Sequence, residues 1–565
     1  MSDLRRLFEQ EMRALQEEGA DFAKDFPEAA RFLDFERLDE RDPYVERLTE
    51  SFAFLTARVR EALSTQQDGL TQHLLELVAP DLDQPLPSVA VVEFIPRSDF
   101  SEATLLPVGS EVVTTASTGG VKSPFVLLNP VAIDLVALTS ARLEITETNQ
   151  NILELELVKT SQNKGAPWPE TLPLFLLGDS PVVWAVRFGL LRRLAKIQVF
   201  LAENWVDAPE IALERLDQPS YASQRGLPSP LAQLRDFLCA DERFRFVSLS
   251  GFGSLTGHPS LRLRLHFQGA LPRGMARAIT KDLFRLHTGV FVNRFVSSCQ
   301  ALAWDHSQPM MVVQANGGSQ REIMEVVSVE GLTATQPPRR ISYRKFANYR
   351  HDSGHAHYQM VRTINRKGNA VVGLSLGTTG SPDALESQYL AIQAICSDGE
   401  HPHDNLQPGD LNSLAMDSPP RVGVSGLTRP TSSFRPPELA DPRSRLLAFS
   451  AGHFDGWLDA PRLKDALRHV MWDPAESKRT LIEAIQDVTS ENGHIFVKGV
   501  AWRQMVTTIR LRDTTCTPDT WERLGVIDAF GSVLLKLIQE ETPIGSRTRL
   551  RILVDPAGVV LEWEN

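Results

Sequence analysis

His351, His355 and His357 crowd one short stretch, YRHDSGHAHYQM. Three imidazoles so close could meet on a zinc ion, because neutral imidazole is a good zinc ligand. The run lacks the HExxH spacing of a helix-borne zinc site, and Ser353 and Gly354 place it in a loop, so surface histidines are the simpler reading. GEHPHDNLQPGD brings His401, His403 and Asp404 into a second polar turn. Asp305–His306 and His453 with Asp455 have the makeup of acid–base couples, yet neither has an evident nucleophile or orienting third group. GFGSLTG at 251–257 has neither the lysine of a phosphate cradle nor the G-x-G-x-x-G spacing of a dinucleotide turn. Glu154 and Glu156 of ILELEL fall on one side of a strand and keep that face wet, and LRRLAK at 191–196 reads as solvated surface. None of these makes a catalytic, cofactor-binding or metal-ligating set. The chain is expected to be no enzyme and to need no cofactor.

Composition narrows the classes further. At 565 residues the chain exceeds one ordinary hydrophobic core, so several domains are expected. Its net charge of -12 argues against a life on nucleic acid or acidic lipid. Cys239, Cys299, Cys396 and Cys516 form no CxxC pair, which points to a reducing compartment rather than a disulfide scaffold. MSDLRRLFEQEM carries charges where a signal peptide would be apolar, so none is expected. No apolar run reaches the ~18 residues of a membrane helix. In the richest stretch, LPLFLLGDSPVVWAVRFGLL at 172–191, Gly178, Asp179, Pro181 and Arg187 interrupt the pattern, which reads as turns and short strands.

With no reacting groups to position, the strongest elements are two helical stripes. Phe8, Met12, Leu15, Gly19, Phe22 and Phe26 recur at spacings of three and four until Pro27. Val45, Leu48, Phe52, Leu55, Val59 and Ala62 do the same after Asp42, a helix cap, and Pro43, suited to the first helical position. Such stripes suit long helices packed on other helices, within the chain or in a partner. The predicted interface is Phe8, Leu15, Phe22, Val45, Leu48, Phe52, Leu55 and Val59. Asp68 is expected to cap a separate short helix carrying Leu70, Leu74, Leu77 and Val78.

Beyond residue 87 the pattern turns to strand. SVAVVEFI at 88–95 is apolar throughout, as in a strand buried on both faces. NILELELV at 151–158 and LRLRLHF at 261–267 alternate, as in antiparallel sheets with one wet face. Helices are predicted at 231–244, 461–472, 476–490 and 525–541, and strands at 494–511 and 548–555. The expectation is an α+β multidomain chain: a helical assembly region at 1–87, largely β structure at 88–300, a loop-rich β domain at 301–445 and an α/β domain at 446–565.

DPYVERLTESFAFLTARVREAL, followed by LTQHLLELVAPDLDQPLPSVAVVEFIP, closely resembles the N-terminal signature of the type VI secretion baseplate family TssF, also called VasA or ImpG. Pro43, Val45, Glu46, Arg47, Leu48, Phe52, Ala53, Phe54, Leu55, Arg58 and Val59 carry the match, and Phe22, Ala23, Pro27 and Ala30 extend it upstream. Asn293, Phe295, Asp305, His306, Glu325, Val326, Ser328 and Val329 resemble a central family segment, and GLTRPTSSFRPP at 426–437 a later loop. CSDGEHPHDNL and KLIQEETPIGSRTRL depart from the family's usual text, as in a divergent branch. The resemblance implies a non-enzymatic wedge subunit of a contractile baseplate, or of a related phage tail or extracellular injection device. Its implied partners are a second copy of the chain, a TssG-like subunit bound through the N-terminal helices, a TssK-like adaptor, a TssE-like sheath initiator and the spike hub. Its implied place is the cytoplasm, in a baseplate docked at the inner membrane, with no nucleic acid bound and no insertion into the bilayer.

Overall fold

The computed structural model describes residues 2–564 apart from 27–42, 98–99, 101, 115–121, 146–150, 161–166, 222–228, 256, 270, 272–273, 306–307, 309, 319–320, 347–355, 365–369, 379–386, 416–421, 437–439, 452–458, 474–475, 498 and 543–544. It is α+β, with long helices at the N-terminus and several separate sheets, as the sequence predicts.

Helix α1 spans Ser2–Asp25 and helix α2 spans Pro43–Val78. The separate helix expected from Asp68 does not exist, because α2 runs through that position without a break. No proline stands between Leu63 and Asp68, and Gly69 inside a helix costs only about 1 kcal/mol, less than making two new helix ends.

Strand Val89–Pro96 lies inside a six-stranded sheet, between Thr288–Val292 and Val422–Gly426. Its alternate residues feed different cores. Ala90, Val92 and Phe94 enter one cluster, while Val89 and Val91 enter another. Burial on both faces explains its unbroken apolar text. The alternating strands Asn151–Lys159 and Ser260–Phe267 pair antiparallel in a five-stranded sheet, with Leu155 opposite Leu263. Their leucines are buried, and on the other face Glu154 accepts hydrogen bonds from Arg262 at 2.7 Å and Arg264 at 3.1 Å. Those guanidiniums outweigh partial burial and hold the Glu154 carboxyl below its ordinary range.

The stretch 172–191 departs from its predicted turns and short strands. Strand Thr171–Leu176 is followed by helix Ser180–Arg192, which opens on a proline. Val183 to Leu190 are all buried, so the helix shows no polar face and no 3.6-residue rhythm. Gly189 lies where a Cβ would meet the Trp521 ring. Arg192 of LRRLAK stands at the surface, as the sequence predicts, and also reaches inward to donate to Asp528 at 2.7 Å.

An eight-stranded sheet, hereafter the central sheet, is built from residues 295–397. It includes Glu322–Thr333, Arg340–Lys345 and Ala356–Ile364, the last two running parallel. At the C-terminus a four-stranded sheet holds Ile485–Val497, Val500–Arg512, Ser546–Asp555 and Val559–Glu564. The predicted 476–490 helix stops at Glu483, and Ile485 already pairs with Leu511. Helix Trp521–Glu541 crosses between the parallel strands Val500–Arg512 and Ser546–Asp555 and packs on helix Ser180–Arg192, so the largest core mixes residues 75–286 with residues 446–563.

Two of the sheets are joined by a buried amide. Asn293 Oδ1 accepts from the Asp398 backbone N–H at 2.6 Å and from Ser397 Oγ at 3.0 Å, while its Nδ2 donates to the Pro124 carbonyl at 2.9 Å. Asp398 in turn accepts from Arg321 Nε at 3.1 Å. No helix among the described residues is long and apolar enough to cross a membrane.

Candidate docking surface

The polar clusters do not assemble into a reacting site. His351 and His355 lie outside the described residues, as do His306, His453 and Asp455. His357 is buried in strand Ala356–Ile364, edge-on to Phe346. His401 Nδ1 lies 3.0 Å from the Asn405 amide within one helical turn, and His403 Nδ1 lies 2.8 Å from the Pro430 carbonyl, so the first holds its own turn and the second ties that turn to a later loop. Among the described residues no group of three or more His, Cys, Asp or Glu could hold a metal. The four cysteines are free thiols, and burial pushes Cys239 and Cys396 up to about 12, which keeps them protonated. Gly251 of the glycine-rich run has φ +92, and a Cβ there would strike the Glu210 carbonyl, so this glycine serves a tight turn.

The N-terminal helices differ from all of this. Helix α1 packs along α2, and Glu11 of α1 forms an ion pair with Arg60 of α2. Ala53, Ala57 and Arg60 stand at i, i+4 and i+7, one face of α2. Ala53 and Ala57 are fully buried, and their small side chains let the two helices approach closely. On α1 the half-buried residues Leu4, Leu7, Phe8, Glu11, Met12, Ala14 and Leu15 form the facing surface.

The predicted residues therefore divide. Phe8 and Leu15 sit in the seam between the two helices, half-buried. Phe22 is exposed on α1. Leu48, Phe52, Leu55 and Val59 lie on the side of α2 away from the alanine seam, and all four are exposed, Phe52 at 63% and Leu55 at 60%. Val45 belongs to the same helix. The two apolar stripes thus do not pack on each other: α1 uses the alanine face of α2 and leaves the bulky face open. An open run of large apolar side chains on one helix leaves apolar surface in water that contact with another surface would cover. Burying one Phe or Leu there contributes about 1.5–3 kcal/mol. Groups of this kind offer van der Waals and hydrophobic contact, and no bond-making chemistry.

The other end of α2 is built differently. Gln72 and Leu75 are buried, and Glu76 Oε1 lies 2.6 Å from Lys345 Nζ of the central sheet. Just past the helix, Asp83 Oδ2 lies 3.6 Å from Arg362 Nε. Sequence reasoning missed both this root and the alanine seam. Ala53 and Ala57 at i, i+4 were a readable signal for close helix packing, whereas nothing in the text around Glu76 or Asp83 points to partners so far along the chain.

The sequence profile of the family described as "Type VI secretion system, TssF" matches residues 1–565. Type VI secretion system component TssF1 of Pseudomonas aeruginosa is 41% identical over 98 residues, which covers 17% of this chain and 16% of that protein, so the match spans about one sixth of the relative's length. A solved chain from a TssK–TssF–TssG baseplate subcomplex of a type VI secretion system superposes with a TM-score of 0.76 at 20% identity, covering 92% of this chain and 98% of its own. A chain from a structure of the type VI secretion baseplate complex gives a TM-score of 0.58 at 20% identity, covering 100% of this chain and 99% of its own. At that identity the likeness is one of fold.

Proposed function

The chain belongs to the type VI secretion system TssF family, and from that premise we propose that it is a structural wedge subunit of the contractile baseplate. The observation that carries this reading is the bulky stripe Leu48, Phe52, Leu55 and Val59, left open on α2 while α1 occupies the opposite face. The occupants are helices of a TssG-like subunit and of a second copy of this chain, gathered in one bundle. A TssK-like adaptor binds the wedge, and a TssE-like sheath initiator and the spike hub complete its surroundings. The solved relative in a TssK–TssF–TssG subcomplex supports the first of these partners by analogy. The role is mechanical rather than enzymatic, and its place is a cytoplasmic baseplate docked at the inner membrane.

Co-expression with the cognate TssG-like and TssK-like subunits tests the reading. Phe52→Asp and Leu55→Asp are expected to abolish co-purification of the TssG-like subunit while leaving the melt of the isolated chain unchanged, because both side chains are exposed. A variant that still forms the complex overturns the assignment of the stripe. A wild-type chain that binds neither subunit overturns the wedge role.

A further inference from the structure

The charged cluster at the root of α2 is separate from the docking stripe. Lys345, which pairs with Glu76, ends strand Arg340–Lys345. Arg362, which faces Asp83, lies in the parallel neighbour Ala356–Ile364. Arg362 also donates to the Ile323 carbonyl at 3.2 Å and to the Met324 carbonyl, both on strand Glu322–Thr333, so it ties two strands of the central sheet to one carboxylate. Arg443, buried on helix Ala440–Ala451, adds a second positive field on Asp83, and that helix packs along α2. Burial raises the Asp83 carboxyl above its ordinary range, and Arg362, Arg443 and Gln72 of α2 oppose that rise. The root is thus held by two elements remote in sequence: Asp83, Arg362 and Arg443 are largely closed to water, and the Glu76–Lys345 pair lies at the half-exposed margin.

Two physical facts give this cluster leverage. Ion pairs withdrawn from water are directional, and breaking one leaves an uncompensated charge. A continuous helix is also stiff. The 36 residues of α2 reach roughly 54 Å at about 1.5 Å per residue, so a tilt of about 10° at the root moves the far end by roughly 9 Å. The stripe is at the far end.

We propose that Glu76, Asp83, Lys345, Arg362 and Arg443 are positioning residues: together they fix the direction in which α2 presents its docking stripe, so that whatever binds the stripe and the central sheet move as one body. The part about binding rests on the wedge reading; the fixed direction does not, and the test separates them.

Spin labels on Glu46→Cys, near the exposed end of α2, and Ser342→Cys, on an exposed position of the central sheet, report their separation in the full chain by double electron–electron resonance. The parent chain gives one narrow distribution. Glu76→Gln with Lys345→Gln broadens or shifts it, with the thermal melt preserved because that pair is half-exposed. The exchange Glu76→Lys with Lys345→Glu restores the narrow distribution, which a merely packed helix end would not require. Asp83→Asn broadens it further; if that variant does not fold, the Glu76–Lys345 series decides the matter. An unchanged distribution in the glutamine pair overturns the proposal. Failure of the parent chain to bind a TssG-like subunit leaves the distance result standing and overturns the docking reading alone.

Discussion

Arg187 and Asp528 meet at 3.0 Å, fully enclosed, one on helix Ser180–Arg192 and the other on helix Trp521–Glu541. Arg192 and Arg215 converge on the same carboxylate at 2.7 and 3.3 Å. One anion therefore holds three guanidiniums, and it links segments of the chain far apart in sequence.

Removing the anion strands those cations. Asp528→Ala is expected to destabilise the fold by about 3–5 kcal/mol, as for other buried pairs broken on one side. Arg192→Ala, at the half-exposed margin, is expected to lose less. Urea melts followed by tryptophan fluorescence compare them, since Trp184, Trp521 and Trp563 all lie in this core.

The same site sets an acid limit. Burial raises the Asp528 carboxyl, but Arg187, Arg215 and Arg192 together hold it below the ordinary carboxylate range. Burial lowers Arg187 to about 10, still charged at neutral pH. A carboxyl depressed in the folded state contributes stability that is full above its unfolded value of about 3.9 and lost as pH falls through the lower folded value. The parent chain is expected to lose stability steeply below about pH 4, and Asp528→Asn less steeply. Equal acid slopes in the two proteins would contradict this.

Where the same two helices cross, Gly525 leaves no room. A Cβ at this position would lie 2.1 Å from the Trp184 carbonyl oxygen and 2.7 Å from its carbon. Ala is the better helix former by about 1 kcal/mol. The collision is with backbone, which cannot swing aside, so Gly525→Ala is expected to lower the melting temperature despite the gain in propensity, at an overpacking cost of about 1–3 kcal/mol.

These helices also explain what the sequence reveals and what it hides. Strands 151–159 and 260–267 are legible because Leu155 and Leu263 point inward while Glu154 and Arg262 point outward, a rhythm of two. Helix Ser180–Arg192 is illegible because every side is buried and Arg187 looks like a break in the apolar run until Asp528 answers it. The switch at Ala484 is hidden because Leu481, Ile485 and Val488 suit a helix face and a strand about equally well. The apolar stripe of α2 is legible as a stripe, yet only the packing of α1 on the opposite side, with Ala53 and Ala57 buried, tells which face stays open.

Asn293 offers a sharper local test. Its buried amide contacts Pro124, Ser397 and Asp398, across two sheets. Asn293→Ala leaves the Asp398 N–H and the Pro124 carbonyl without this partner, at about 1–3 kcal/mol for each group left unsatisfied. Asn293→Asp keeps the acceptor but places a second carboxylate beside Asp398. Hydrogen exchange is expected to accelerate at Asp398 and Gly399 in both variants, with the Asp variant worse. Unchanged protection there would mean that the amide does not join the sheets.

The two faces of α2 make opposite predictions. Ala57 is fully buried on the side of α2 that carries Arg60, partner of Glu11 on α1. Ala57→Leu adds volume where the helices touch and is expected to lift α1, with an overpacking cost of about 1–3 kcal/mol and faster hydrogen exchange along Ser2–Asp25. Phe52→Ser, on the open face, removes only exposed surface and is expected to change stability by less than about 0.5 kcal/mol. The order reverses for assembly: the stripe variant loses the bound subunit with α1 still protected, whereas the seam variant loses protection first. If Phe52→Ser instead melted α1, the stripe would belong to the chain's own core, and the open face of α2 would have to be reassigned.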